Sequence, residues 1–298
     1  MSPIVLKGGM QGRYKFIVRD GESMRVVRET PWMPNLILDA GLNRLGTGGI
    51  ADWCQVGTSS AAVSAGQTSL VARIASTSVV NAYAQGANPT PPYYSWHRKV
   101  FRFAVGAAAG NISEVGVGWA NIGSLCSRAL TVDGGGIPTT ITVLPSEVLD
   151  VVYELRVEMN TTDVIANVMI GGVLRTCTIR PSNVTVAPDP YVFDKGPWSG
   201  MVYALGAAYT GAIGPVTGQP TGFVNLGTVT NSYLPYANNS LERVMRTVYP
   251  LSVSPAVIEA TTHITNLGEF QIGYSPPLVK STTETLTLNF KASWARLP

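Results

Sequence analysis

The strongest constraint in this chain is a hydrophobic period of two. In VVYELRVE, Val151, Tyr153, Leu155 and Val157 fall on one side and Glu154, Arg156 and Glu158 on the other. LTLNFKASW sets Leu286, Leu288, Phe290, Ala292 and Trp294 against Thr287, Asn289, Lys291 and Ser293. KVFRFAV puts Phe101, Phe103 and Val105 inward and Arg102 outward, and RYKFIV alternates Tyr14, Phe16 and Val18 with Lys15 and Ile17. Successive side chains of a strand point to opposite faces, so each segment reads as a strand with one buried face. Clean alternation favours antiparallel sheets covered on one side over a parallel α/β sheet.

Turn chemistry joins these strands. Asp20-Gly21 between RYKFIVR and SMRVVRE reads as a hairpin, and Gly171-Gly172 suits a two-residue turn that needs positive φ. Asp133 and Gly134 to Gly136 end the strand that contains Ser127 to Thr131. One stretch has helical spacing: in PNLILDAGLNRLGTGG, Leu38, Leu42 and Leu45 recur at i, i+4 and i+7, with Asn35 as the expected N-cap and Gly46 as the stop. SLERVMRTV fits a helix or a strand; its β-branched residues and the nearby Pro250 favour the strand. From 181 to 236 the texture turns rich in Gly, Pro, Ala and aromatics and poor in charge, which reads as a long insertion or arm. The core is then expected in 1–180 and 237–298. An exposed segment this apolar would be sticky on a lone monomer and suits contact with another subunit.

Composition points the same way. Charged residues are 13% of the 298, against about 25% in ordinary soluble domains. A free monomer usually carries more charge to stay apart from its copies. A charge-poor chain suits an assembly subunit whose surface is covered by neighbours; the plainer reading is a Ser/Thr-rich β-protein with a neutral polar surface. The net charge of +3 does not call for nucleic acid. Two basic groups stand out, Arg13, Lys15, Arg19, Arg25 and Arg28, then His97, Arg98, Lys99 and Arg102. Either could meet phosphate or an acidic neighbour, and either could be the solvated face of a strand. Cys54, Cys126 and Cys177 are far apart with no CxxC spacing, which fits buried small hydrophobes and synthesis in a reducing cytoplasm. The opening MSPIVLKGGMQGRYKF lacks the apolar stretch of a secretory signal. MVYALGAAYTGAIGPV is too short and broken for a membrane span, so no membrane partner is expected.

Catalytic motifs are not found. His97 and His263 have no HxxxH spacing and no neighbouring cysteine ligand, so no metal site is expected. There is no G-x-S-x-G and no G-x-x-x-x-G-K-[ST]. GTGGIA (46–51) matches G-x-G-x-x-A, but it follows a helical segment and lacks the acidic residue some twenty positions on, so it reads as a glycine-rich loop and no cofactor is expected. Among the scattered carboxylates Glu114 is singular because apolar residues surround it in ISEVGVGWANIGSLCSRALT. It could be an inward catalytic carboxyl, or a buried partner of an arginine such as Arg128. PPYYSWHRK offers Tyr93, Tyr94, Trp96 and His97 beside positive charge, the composition of a protein–protein hot spot and also of a sugar-stacking surface.

Five segments in order resemble structural proteins of tailed bacteriophages. They are NLILDAGLNRLG, QVGTSSAAVSAGQTSLVARI, ISEVGVGWANIGSLCSRALT, IPTTITVLPSEVLDVVYELRV and FQIGYSPPLVKSTTETLTLNFKASWARL, covering 35–158 and 268–298. The similar proteins are tail-fibre, neck or collar-type components. The resemblance implies a virion subunit made in the bacterial host cytoplasm, contacting copies of itself and other virion proteins. It also implies that Glu114 to Trp119 is a central strand in which Gly116 and Gly118 permit close backbone approach. The expected fold is all-β, an antiparallel sandwich of jelly-roll type with one short helix and a long insertion. The expected function is structural and non-enzymatic, with Tyr93, Tyr94, Trp96, Trp198 and Tyr203 as interface residues. The alternative is a receptor- or glycan-binding module of a tail fibre.

Overall fold

The computed structural model describes residues 4–186, 205–225, 229–251 and 256–297. In chain order the first elements are β1 (Ile4–Asp20), β2 (Val26–Glu29), β3 (Met33–Pro34), β4 (Leu36–Ile37), the helix α1 (Asp39–Leu45), β5 (Trp53–Gly57), β6 (Arg73–Thr77), β7 (Val80–Ala87) and β8 (Tyr94–Phe103). The middle third holds β9 (Gly110–Ile112), β10 (Glu114–Gly118), β11 (Leu125–Leu130), β12 (Ile141–Val143), β13 (Glu147–Met159), β14 (Val164–Ile170) and β15 (Val173–Ser182). The last third holds β16 (Leu205–Tyr209), β17 (Phe223–Val224), β18 (Thr230–Tyr233), β19 (Glu242–Tyr249), β20 (Ala256–Thr265), β21 (Gly268–Lys280) and β22 (Leu286–Arg296). The chain is therefore mostly β with a single helix among the described residues, as the period of two predicts.

A nine-stranded sheet runs β18-β19-β22-β1-β13-β8-β7, with β2 and β3 also pairing β1. Its spine is the antiparallel pair β1/β13, in unbroken register from Gly8↔Met159 to Asp20↔Glu147. Alternation buries Tyr14, Phe16 and Val18 from β1 and Val151, Tyr153, Leu155 and Val157 from β13. Each such side chain stabilises the fold by roughly 1.5–3 kcal/mol relative to exposure. Two smaller sheets meet this inner face. A five-stranded sheet, β4-β11-β10-β5-β6, is joined to it where the Tyr14 hydroxyl bonds Ser127 Oγ at 2.6 Å. A six-stranded sheet, β14-β15-β21-β20-β16-β17, meets it where the His263 ring lies 3.7 Å from that of Phe290. A contiguous buried cluster runs through these three sheets and the small two-stranded sheet β12-β9.

Several expectations are refined. The pairing is not wholly antiparallel: β1 and β22 run parallel, Ile4↔Phe290 to Met10↔Arg296. The helix starts at Asp39, so Asn35 is not its N-cap; Leu36 and Ile37 pair with β11 and hold the chain extended until then. Gly46 does end it, and Leu38, Leu42 and Leu45 are all buried. Val105 is 52% exposed instead of inward, because β8 ends at Phe103 and the chain turns there. From Glu242 on, SLERVMRTV forms β19, the strand that its β-branched residues favour. Gly171 and Gly172 have φ of 57° and 76° and close the β14/β15 hairpin, the left-handed pair that such a turn demands. Within 181–236, β16 and β17 belong to the six-stranded sheet and β18 to the nine-stranded one.

β10 is the centre of its sheet, paired with β5 and β11. A Cβ on Gly118 would lie 2.1 Å from the Ser124 carbonyl oxygen, so the backbones approach there as only glycine permits.

Candidate functional site

Arg13, Lys15 and Arg19 of the first basic group and Arg98 and Arg102 of the second come together on the outer face of the large sheet, whereas His97 and Lys99 alternate to its inner face opposite Leu155 and Tyr153. Arg13 and Glu154 are register partners between β1 and β13, and Arg98 opposes Glu154 from β8. Four residues along, Arg102 opposes Asp150. Glu154 thus receives three guanidinium groups, from Arg13 at 2.7 Å, Arg98 at 2.5 Å and Arg156 at 2.9 Å. Asp150 receives Arg19 and Arg102, each at 2.7 Å. Further along the same surface Lys15 pairs with Glu29, while Arg28 pairs with Glu147 on the opposite side of the sheet.

Aromatic rings roof this ladder. The Arg13 guanidinium lies 4.0 Å from the Trp32 ring and that of Arg98 5.3 Å from it. Arg98 also reaches Trp96 at 4.7 Å, and Arg156 reaches Tyr94 at 4.5 Å. The rings therefore cover the Glu154 end of the ladder, and the side chains of both carboxylates are 1% exposed. Glu154, on the polar side of the alternation, is thus enclosed by its own ion pairs. Burial pushes the Asp150 and Glu154 carboxyls up, but the hydrogen bonds and charges of their arginines together outweigh it and hold both below their ordinary values. Cations outnumber carboxylates across this face, which suits it to an acidic partner surface.

Two of the predicted contact residues, Tyr94 and Trp96, belong to this face. Tyr93 is half-buried against the core. Trp198 and Tyr203 lie outside the described residues. Trp32, Arg13 and Arg156 were not singled out as contacts; they are remote in sequence, and only the β1/β13/β8 register joins them.

The residues most open to a chemical reading are enclosed. Glu114 and Arg128 are both fully buried and pair at 2.8 Å, the arginine partnership that the sequence offered as one reading. Burial lowers the His97 imidazole to about 4 and that of His263 to about 3, so both are neutral at neutral pH. Burial raises the Cys126 thiol to about 12 and the Cys177 thiol to about 11. All three cysteines are buried and unbridged. Among the described residues no group of three or more His, Cys, Asp or Glu side chains could hold a metal ion, and no helix is long and apolar enough to cross a membrane.

A second surface is apolar. β14, with sequence VIANVMI, ends the six-stranded sheet and pairs only with β15 among the described residues. It carries no charge and no proline, the devices that usually protect a sheet edge. Alternation turns Ile165 and Met169 outward, 59% and 48% exposed, and Leu174, the register partner of Met169, is 60% exposed. In the same sheet Val257 and Val279 are register partners and both exposed.

The chain matches no protein-family model, no curated protein and no solved structure.

Proposed function

We propose that this chain is a non-enzymatic structural subunit of a tailed-phage virion, at the tail or neck, built on a sandwich of jelly-roll type. It assembles with copies of itself and docks on other virion proteins. The observation that carries the assembly reading is the β14 edge, which among the described residues pairs only with β15. An uncharged seven-residue edge strand with outward Ile165 and Met169 beside Leu174 is a template for another chain. The segments resembling phage structural proteins support the virion setting. The low charge content agrees with a surface covered by neighbours. The arginine–aromatic face around Glu154 supplies a second, polar docking surface for an acidic partner. One side of Trp96 and one side of Tyr94 already carry a guanidinium, which favours a protein contact there over a sugar platform.

Sedimentation velocity over a wide concentration range tests the assembly. The natural chain is expected to associate, and Ile165→Lys with Met169→Lys to weaken that association at least tenfold. A natural chain that stays monomeric at high concentration rejects the reading. Antibody labelling of intact particles, imaged by electron microscopy, tests the virion location.

A further inference from the structure

We propose that a cavity at one end of the six-stranded sheet binds a small organic anion through Arg175 and Lys280. The cavity, of about 320 Å³, opens between the β14/β15 turn and the turn that leads from β21 to β22. That is at the small end of the range for ligand pockets, roughly 300–1,000 Å³. Arg175 on β15 and Lys280 on β21 line it, and both are enclosed, at 7% and 1% exposed.

Among the described residues these two cations have no ion-pair partner. There Arg175 donates only to backbone carbonyls, those of Ile170, Val173 and Pro277. Its Nε has no hydrogen-bond partner. Lys280 Nζ donates to the Ser281 carbonyl. Among the described residues every ion pair lies elsewhere. The carboxylate on the lining is Glu284, which is exposed. Two buried cations without a counter-charge are costly, and the cost falls when an anion enters. By contrast, the buried Arg128 of the same chain has its carboxylate in place.

The walls define the rest of the ligand. Ile170, Leu278 and Leu286 are apolar and line the same space. A phosphate or carboxylate head would meet Arg175 and Lys280, and an apolar body would rest on these three side chains. The charged heads sit in the wall and not on the open surface, which selects a compact molecule over a polymer. This site is independent of the β14 edge and of the proposed virion role.

Thermal unfolding with phenyl phosphate, benzoate, inorganic phosphate or chloride, all at equal ionic strength, tests the proposal. Phenyl phosphate or benzoate is expected to raise the midpoint saturably above the chloride value, and the stronger of the two identifies the head group. Inorganic phosphate, lacking the apolar body, is expected to bind at least tenfold more weakly than phenyl phosphate. Lys280→Met is expected to abolish the response and to raise the midpoint in chloride, because it removes an uncompensated charge. Glu284→Gln keeps both cations, removes the lining's negative charge and is expected to tighten binding several-fold; it also serves should Lys280→Met not fold. No saturable rise in the natural chain overturns the proposal. So does an equal rise in Lys280→Met, or a weaker or unchanged one in Glu284→Gln.

Discussion

Arg128 and Glu114 lie on adjacent antiparallel strands, fully enclosed, and every donor of the guanidinium has an acceptor. Nε and Nη2 bond Glu114 Oε2 at 3.0 and 2.8 Å. The remaining donors reach Gln67 Oε1 at 2.9 Å and the carbonyls of Ala61 and Ala62 at 2.9 and 3.2 Å. Glu114 in turn accepts the backbone N–H groups of Val71 and Ala72 at 3.1 and 2.7 Å. The pair therefore fastens the long connection between β5 and β6 to the centre of the sheet. That connection is largely exposed, and its apolar packing is confined to Leu70 and Val63 against Leu38 and Leu125.

Removing one partner should be severe, since it strands a buried charge. Arg128→Met is expected to cost about 3–5 kcal/mol of stability, measured by urea unfolding. Limited proteolysis should cut between residues 58 and 72 faster than in the natural chain. A loss below about 1 kcal/mol with unchanged cleavage would show that the pair does not hold the connection.

Gly118 is expected to tolerate no side chain. Its added methyl would meet the Ser124 carbonyl oxygen and the Leu125 Cα, which are backbone atoms and cannot rotate away. Gly118→Ala should lower stability by about 1–3 kcal/mol. Gly134→Ala is the control: no atom lies within 4 Å of its added Cβ, and a surface change of this kind stays within about 0.5 kcal/mol. Thermal midpoints of the two variants check the contrast; equal midpoints would remove the close-approach argument.

The sheets were legible because their signal is local. β1, β8, β13 and β22 each announce themselves by alternation, and the Gly171-Gly172 turn by its residue pair. The parallel pairing of β1 with β22 was not legible, since it joins the two ends of the chain and no local pattern encodes it. The start of α1 was misplaced for a related reason: Leu36 and Ile37 are claimed by β11, some ninety residues away. The same applies to the candidate site. Tyr94 and Trp96 were visible as an aromatic cluster, and Arg13 and Arg98 as members of two basic groups. That Glu154 gathers three arginines, two of them beneath Trp32, depends on the register of three strands, which the sequence does not state.

Trp32 is expected to act as the clamp of that ladder. It lies against two guanidinium groups, and each cation–π contact contributes about 0.5–2 kcal/mol. Trp32→Ala should therefore destabilise by roughly 1–4 kcal/mol and make the remaining stability more sensitive to salt, because water then reaches the Glu154 ion pairs. Urea unfolding at low and high ionic strength measures both effects. A variant as stable and as salt-insensitive as the natural chain would reduce Trp32 to a passive cover.

Stability should fall between pH 6.5 and about 4 because of the two histidines. Each has an ordinary value of 6.5, and burial lowers His97 to about 4 and His263 to about 3. In this window the unfolded chain binds protons that the folded chain refuses, so unfolding becomes easier as pH drops. The full histidine contribution is present above 6.5 and is lost progressively towards the folded values. The limiting slope is about 1.4 kcal/mol per pH unit for each histidine. Asp150 and Glu154 act lower down. Their folded values lie below the ordinary 3.8 and 4.5, so their contribution is present above those values and is lost as the pH falls further. The interval from pH 6.5 to 5 therefore isolates the histidines, with an expected loss of roughly 2 kcal/mol for each. Urea unfolding at pH 7, 6 and 5 measures it. His263→Gln, which removes one titrating ring, should roughly halve the slope. A natural chain whose stability is flat over this interval would mean that the buried rings accept protons in place, contrary to the enclosure seen around Phe290 and Thr261.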